Sequence, residues 1–401
     1  SYTTVSQITF PVNRFQQLDT PFYYYDLYTL QQTLSAISEA IQKDPHYQVH
    51  YAVKANANPR LLSLIAKAGF GADCVSGGEI QAALNAGFPS KKIVYAGVGK
   101  SDKEILFALR AGIFCFNVES VPELEVINQL AAAQGVVANV ALRINPNVDA
   151  HTHAKITTGL AENKFGIAME DMLPTLQRAD VLTNVRCVGL HFHIGSQIEQ
   201  MDSFVHLCER INELQDCLEA AGHNVEHINV GGGLGVDYVH PLTNPIPQFR
   251  AYFDTFRSHL HLRPQQTLHF ELGRSVVAQC GHLISRVLYV KEGHIKRFAI
   301  LDAGMTDLVR PSMYGSRHAI SLLDKQGGCV AASDTNLHYD VVGPICESSD
   351  VFATDLSLPL LHRGDLLALH SAGAYGEVMA STYNCRPLAP AYYSDELNAE
   401  S

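Results

Sequence analysis

Short runs rich in apolar and β-branched residues recur along the first two thirds of the chain: VHYAVKAN, GADCVS, KIVYAGVG, IFCFNVE, NVALRINP, VRCVGLHFHIGS, HINVGGG and TLHFELGR. Each of the first seven is followed by a stretch with apolar residues at helical spacing, as in PRLLSLIAKAG after the first and DKEILFALRAG after the third. Strands alternating with helices predict parallel strands joined by crossover helices. Eight such units close into a TIM (β/α)8 barrel of about 250 residues, and residues 21–274 have that length. After Arg274 the pattern changes. GHLISRVLYVKEGHIKRFAILDAG alternates with period two, which predicts a second, mostly antiparallel β domain over 275–401. Residues 1–20 are also strand-like and are predicted to join that domain with a strand. The predicted class is α/β.

Composition narrows the function. With 401 residues, 47% hydrophobic and 17% charged, the chain has ample core for two domains. A net charge of −11 and the lack of a long Lys or Arg run argue against nucleic acid and anionic membrane surfaces, which select clustered positive charge. Small-molecule partners are expected. Nine cysteines between Cys74 and Cys385, odd in number and without a C-x-x-C pair, fit neither a disulfide framework nor a thiolate zinc site. SYTTVSQITFPVN lacks the basic start and apolar core of a signal peptide, and no apolar run reaches membrane-spanning length. A soluble cytoplasmic protein with reduced thiols is the expectation.

Barrel enzymes place chemistry at the C-terminal strand ends and often bind phosphate after strands seven and eight. Here Lys54 ends the first strand, Asp73 lies late on the second and Arg143 late on the fifth. His193 and Ser196 end the sixth; Gly231, Gly232, Gly233 and Gly235 follow the seventh; Glu271, Gly273 and Arg274 end the eighth. An amine, a phosphate cradle and a buried carboxylate are what hold pyridoxal phosphate. Taken singly these residues have plainer readings. Lys54 fits a snorkelling side chain, GGGLG fits a tight turn, and Arg274 fits an ion pair with Glu271. GGGLG is not a dinucleotide fingerprint, since VDYVHP does not open a helix. His191 and His193 in HFH share one side of a strand, as in metal-dependent hydrolases of this barrel. Such a site needs ligands from other strand ends, where no His occurs, so no metal is predicted. His193 suits stacking on a flat ring, His191 a hydrogen-bonded core position, and His151 and His153 a loop.

Together YAVKAN, HFHIGSQ, GGGLG, ELGR, RPSMYG, GPICESSD and SAGAY resemble the fold-type III decarboxylases that use pyridoxal phosphate, from about Pro21 to Pro390. The stretch KITTGLAENKFGI is similar to the members acting on meso-diaminopimelate rather than ornithine or arginine. The resemblance implies that Lys54 carries the cofactor covalently, His193 stacks on its ring and Glu271 pairs with the ring nitrogen. It further implies that Asp73, Ser196, Gly231, Gly232, Gly233, Gly273, Arg274 and Tyr375 complete the cofactor site. A substrate with a second amino-acid end needs a fork for its distal carboxylate and an anion for its distal ammonium. The matching residues are Arg274, Arg310, Tyr314, Glu347 and Tyr375, which otherwise read as surface pairs of a β domain. Cys346, elsewhere an inert buried thiol, is by resemblance the proton donor. Leu272 and Ser349 stand where the family commonly has proline and glycine. The resemblance also implies a head-to-tail homodimer with shared active sites, and conversion of meso-diaminopimelate to L-lysine and CO2. The alternatives are a same-fold decarboxylase of ornithine, arginine or carboxynorspermidine, opposed by Arg310 and Glu347, and a non-catalytic relative, opposed by the complete cofactor set.

Overall fold

A computed structural model describes residues 8–150 and 164–398 of the chain. His151, His153 and the KITTGLAEN part of the similar stretch lie outside the described residues. Two compact units are present: residues 36–150, 164–235 and 248–273 form one, and residues 8–35, 236–247 and 274–398 the other.

Strand β1 (Phe22–Tyr25) belongs to the second unit. Strands β2 (Tyr47–Ala52), β3 (Gly71–Cys74), β4 (Ile93–Tyr95), β5 (Cys115–Val118), β6 (Ala138–Arg143), β7 (Val185–His191), β8 (His227–Asn229) and β9 (Thr267–Leu272) close into a parallel barrel. Each corresponds to one of the eight predicted runs, and helices follow the first seven at 59–67, 77–86, 102–111, 121–133, 172–181, 202–220 and 249–259. Local chemistry sets their ends. Ser101 and Glu104 form a capping box at the start of Asp102–Ala111, and Gly112 closes that helix in the left-handed conformation. Ser76 and Ser120 cap the helices after β3 and β5 by a single side-chain bond, each accepting from the backbone N–H of the Glu three residues on.

The barrel interior is unusually polar. Near its floor His50 Nδ1 meets the Lys92 carbonyl at 3.3 Å, His50 Nε2 meets His269 Nδ1 at 2.9 Å, and His269 Nε2 meets His227 Nδ1 at 2.9 Å. A carbonyl only accepts, so His50 donates from Nδ1. Its Nε2 then accepts from His269, which accepts in turn from His227. One backbone oxygen fixes the tautomers of three rings, and Phe114 stacks on His269 at 5.6 Å.

In the second unit the strands β10 (Gly281–Glu292), β11 (Arg297–Leu301), β12 (Ile320–Leu322), β13 (Leu337–Val342), β14 (Val351–Leu358) and β15 (Leu366–Leu369) run in the order β12-β15-β10-β11-β13-β14. β1 pairs antiparallel with β10 and parallel with β16 (Ala391–Tyr393). The sequence expectation is corrected at this point. The described part of residues 1–20 holds a helical turn, Val12–Phe15, not a strand. Pro11 precedes that turn with the φ that proline favours, and Val12 and Phe15, three apart, bury one face. The joining strand is β1, inside the range assigned to the barrel. All four of its residues are buried, and Phe22 and Tyr24 share a core with Phe10, Phe15 and Ile284. Residues 236–247, directly after GGGLG, also belong to this unit. No helix among the described residues is long and apolar enough to cross a membrane.

Candidate active site

In the barrel unit, Lys54 falls on a short 3-10 turn, Val53–Ala55, directly after β2; its neighbours are buried and its own side chain is exposed. Glu271, the penultimate residue of β9, is buried. Its Oε1 accepts from His191 Nε2 at 2.8 Å, and its Oε2 accepts from Asn229 at 3.2 Å and Asn117 at 3.4 Å. Burial favours the neutral acid, but His191, by charge and hydrogen bond, with His50 and His193, outweighs it and brings the carboxyl down to about 2. Asp73 shows the opposite balance. Burial and then the nearby Glu271 charge hold its carboxyl well above the ordinary range, and its buried Oδ1 has no hydrogen-bond partner. The two carboxylates thus titrate as a pair, with the charge on Glu271 and the proton on Asp73.

His193 lies two residues past the end of β7, and Ser196 lies on the exposed loop beyond, both later than the strand end assigned from sequence. Burial, then the Lys54 and Arg143 cations, push the His193 imidazole down to about 3, so the ring is neutral at neutral pH. Arg143 ends β6 and donates to buried Glu119 at 3.0 Å. His191, read from sequence as a core histidine, is the donor that keeps Glu271 in place.

The turn after β8 is stitched to its surroundings by its own backbone. Gly231 N–H donates to Asn229 Oδ1 at 2.9 Å, and the Gly231 carbonyl accepts from Glu271 N–H at 2.8 Å. A Cβ on Gly232 would lie 1.9 Å from the Glu271 carbonyl oxygen, and Gly231 and Gly233 have φ of +69° and +107°. Glycine is therefore required for close packing as well as for the turn. The N–H groups of Gly232 and Gly233 have no partner among the described residues, which suits a bound anion. An exposed amine, an ionised carboxylate, a neutral imidazole and open backbone donors fit pyridoxal phosphate.

Gly273 follows β9 as the last residue of the barrel unit, and the other remaining candidates lie in the second unit. Arg274 donates to the Tyr238 hydroxyl, its guanidinium carbon is 4.9 Å from the Tyr375 ring centroid, and its buried Nε has no partner. Tyr375 has φ of +55°, rare for a bulky side chain and a mark of a constrained position. Arg310 is 6% exposed and donates to His318 Nε2 at 2.8 Å. Tyr314 is 64% exposed. Cys346 and Glu347 are exposed on a loop that Asp350 pins, its carboxylate accepting from Ile345 N–H at 2.8 Å and Met305 N–H at 2.7 Å. Glu347 accepts from the Tyr383 hydroxyl. Cys346 is exposed in the single chain, against its plainer reading as an inert buried thiol. Among the described residues no group of three or more His, Cys, Asp or Glu is arranged to hold a metal ion.

This fold and site define a class, and the comparisons agree with it: residues 28–278 match the model of the pyridoxal-dependent decarboxylase, pyridoxal binding domain. A diaminopimelate decarboxylase of Bacteroides thetaiotaomicron is 63% identical over 388 residues, 97% of this chain and 99% of that one. One from Helicobacter pylori is 44% identical, over 93% of this chain and 90% of that one. The crystal structure of diaminopimelate decarboxylase from Helicobacter pylori complexed with L-lysine superposes with a TM-score of 0.87 at 41% identity, covering 96% of this chain and 94% of that one. The chain belongs to the pyridoxal-dependent decarboxylases, among the diaminopimelate decarboxylases.

Proposed function

We propose that this chain converts meso-2,6-diaminopimelate to L-lysine and CO2 with pyridoxal phosphate, the last step of lysine biosynthesis. The observation that carries the substrate reading is Arg310, a buried guanidinium with no carboxylate partner among the described residues. An uncompensated buried cation is costly, and a substrate's distal carboxylate is the anion that relieves it. Ornithine lacks that carboxylate and would leave the cost standing.

When bound, pyridoxal phosphate supplies an electron sink for the pair released as CO2 leaves. Lys54 would hold it covalently. Glu271, kept ionised with His191, Asn117 and Asn229 fixing its carboxylate, would maintain a proton on the ring nitrogen. His193, neutral, would help hold the cofactor without adding a second positive charge beside it. By the family resemblance, Asp73 would belong to the same cofactor set, and Ser196, Gly231, Gly232, Gly233, Gly273, Arg274 and Tyr375 would hold the phosphate. Arg310 takes the distal carboxylate, and Glu347, with Tyr314 and Tyr375, the distal ammonium. Cys346 would deliver a proton to the carbon that lost CO2, a general-acid role that a thiol S–H can fill.

Exposure of Cys346, Glu347 and Tyr314 in a lone chain supports a head-to-tail homodimer in which this loop completes the partner's site. A cytoplasmic location is part of the same proposal, supported by nine cysteines that form no disulfide. Incubation of the purified holoenzyme with meso-diaminopimelate is expected to yield lysine and CO2 in equal amounts. Borohydride reduction is expected to tag the peptide containing Lys54. Faster turnover of ornithine or arginine, or a tag on another lysine, overturns this reading.

A further inference from the structure

Two site arginines share one aromatic ring. Tyr238 lies just past GGGLG in the segment that belongs to the second unit. The Arg310 guanidinium carbon is 4.8 Å from its ring centroid, the Arg274 carbon is 5.8 Å from the same centroid, and Arg274 Nη1–H donates to its hydroxyl. No carboxylate pairs with either guanidinium among the described residues. Two like charges are thus held close together, and the negative face of the phenol ring offsets part of their repulsion.

His318 completes the arrangement. It is buried, its Nδ1 lies 2.9 Å from the His370 carbonyl oxygen, and its Nε2 faces Arg310 Nη1 at 2.8 Å. The carbonyl requires a proton on Nδ1, so Nε2 presents a lone pair to the guanidinium. Its ring also meets the Tyr238 ring edge-on, with centroids 5.3 Å apart. Arg310 is therefore restrained by a ring against its guanidinium and by an acceptor on one N–H. Neither contact is with an anion.

Resting on the substrate reading above, we propose that Tyr238 and His318 are positioning residues for substrate selection. They restrain Arg310 so that its other N–H donors are left for the distal carboxylate of a diamino dicarboxylic acid. Arg310 then enters the complex already ordered, which lowers the entropy cost of binding.

The test compares L-lysine, which keeps the distal carboxylate, with 1,5-diaminopentane, which lacks it. Their Kd values are measured by calorimetry on the holoenzyme, alongside kcat and KM for meso-diaminopimelate. Tyr238→Leu and His318→Leu are each expected to raise KM about 10-fold, and to lower the preference for lysine over diaminopentane by about the same factor. In both, kcat is expected to stay within about threefold of wild type. His318→Gln keeps an acceptor and Tyr238→Phe keeps the ring, and both are expected to retain the preference. Retained preference in both leucine variants overturns the assignment. So does an equal loss of kcat and cofactor content in all four variants, which marks a structural role. A wild-type enzyme inert toward meso-diaminopimelate sinks the proposed reaction alone, because the preference ratio is read without turnover.

Discussion

A carboxylate enclosed in a barrel keeps its charge only where neighbours replace the water it has lost, and Glu271 and Asp73 differ in those neighbours. Glu271 has three side-chain donors, whereas one Asp73 oxygen has none. Folding lowers the Glu271 carboxyl from 4.5 to about 2, so it binds fewer protons folded than unfolded across that interval. Its stabilising contribution is full above about pH 4.5 and is lost as pH falls toward 2. Asp73, shifted upward, contributes in the opposite sense, with its benefit present below about pH 3.8 and lost as pH rises through its folded value. Glu271→Gln keeps the shape and removes the charge. Turnover is expected to fall about 100-fold or more, roughly 3 kcal/mol of barrier, while the cofactor absorbance survives. Near-normal turnover would show that another group serves the ring nitrogen.

At the scale of elements, the barrel floor depends on three strands in register. His50 on β2, His227 on β8 and His269 on β9 form one directional hydrogen-bond chain, and burial lowers the pKa of all three imidazoles. Folded values below 6.5 mean that their contribution is present above about pH 6.5 and is lost on acidification. His269→Leu strands an acceptor on His50 and a donor on His227, at about 1–3 kcal/mol each. Denaturant unfolding at pH 7.5 is expected to show that loss, and at pH 5 a narrower gap from wild type. An equal gap at both values would mean that the chain does not titrate with folding. Strand positions such as these were legible because apolar runs and helical spacing report local structure. So were Lys54 and Glu271, which sit at the ends of such runs. The bond between His191 and Glu271, 80 residues apart, depends on how the barrel closes. The ring shared by Arg274 and Arg310 likewise joins segments that no local period relates. The helical turn at Val12–Phe15 was missed because it is too short for periodicity to separate from a strand.

For the whole molecule, the exposed loop carrying Cys346 and Glu347 makes the assembly testable. Mixing Lys54→Ala and Cys346→Ala subunits, each inactive alone, is expected to restore about a quarter of wild-type sites with random exchange of C2 dimers. Half of the dimers would then be mixed, each with one intact site. No recovery after verified exchange removes the shared-site model even if Cys346 proves essential. Synthesis imposes a different demand. The aromatic strand Phe22–Tyr25 has no ladder partner until residues 281–284 exist, and its second partner comes only with residues 391–393. A ribosome making this chain therefore presents FYYY early and pairs it late. These four residues, all buried in the finished fold, are for most of that interval an unpaired sticky edge. The nascent chain, more than the finished enzyme, is where this architecture needs protection from aggregation.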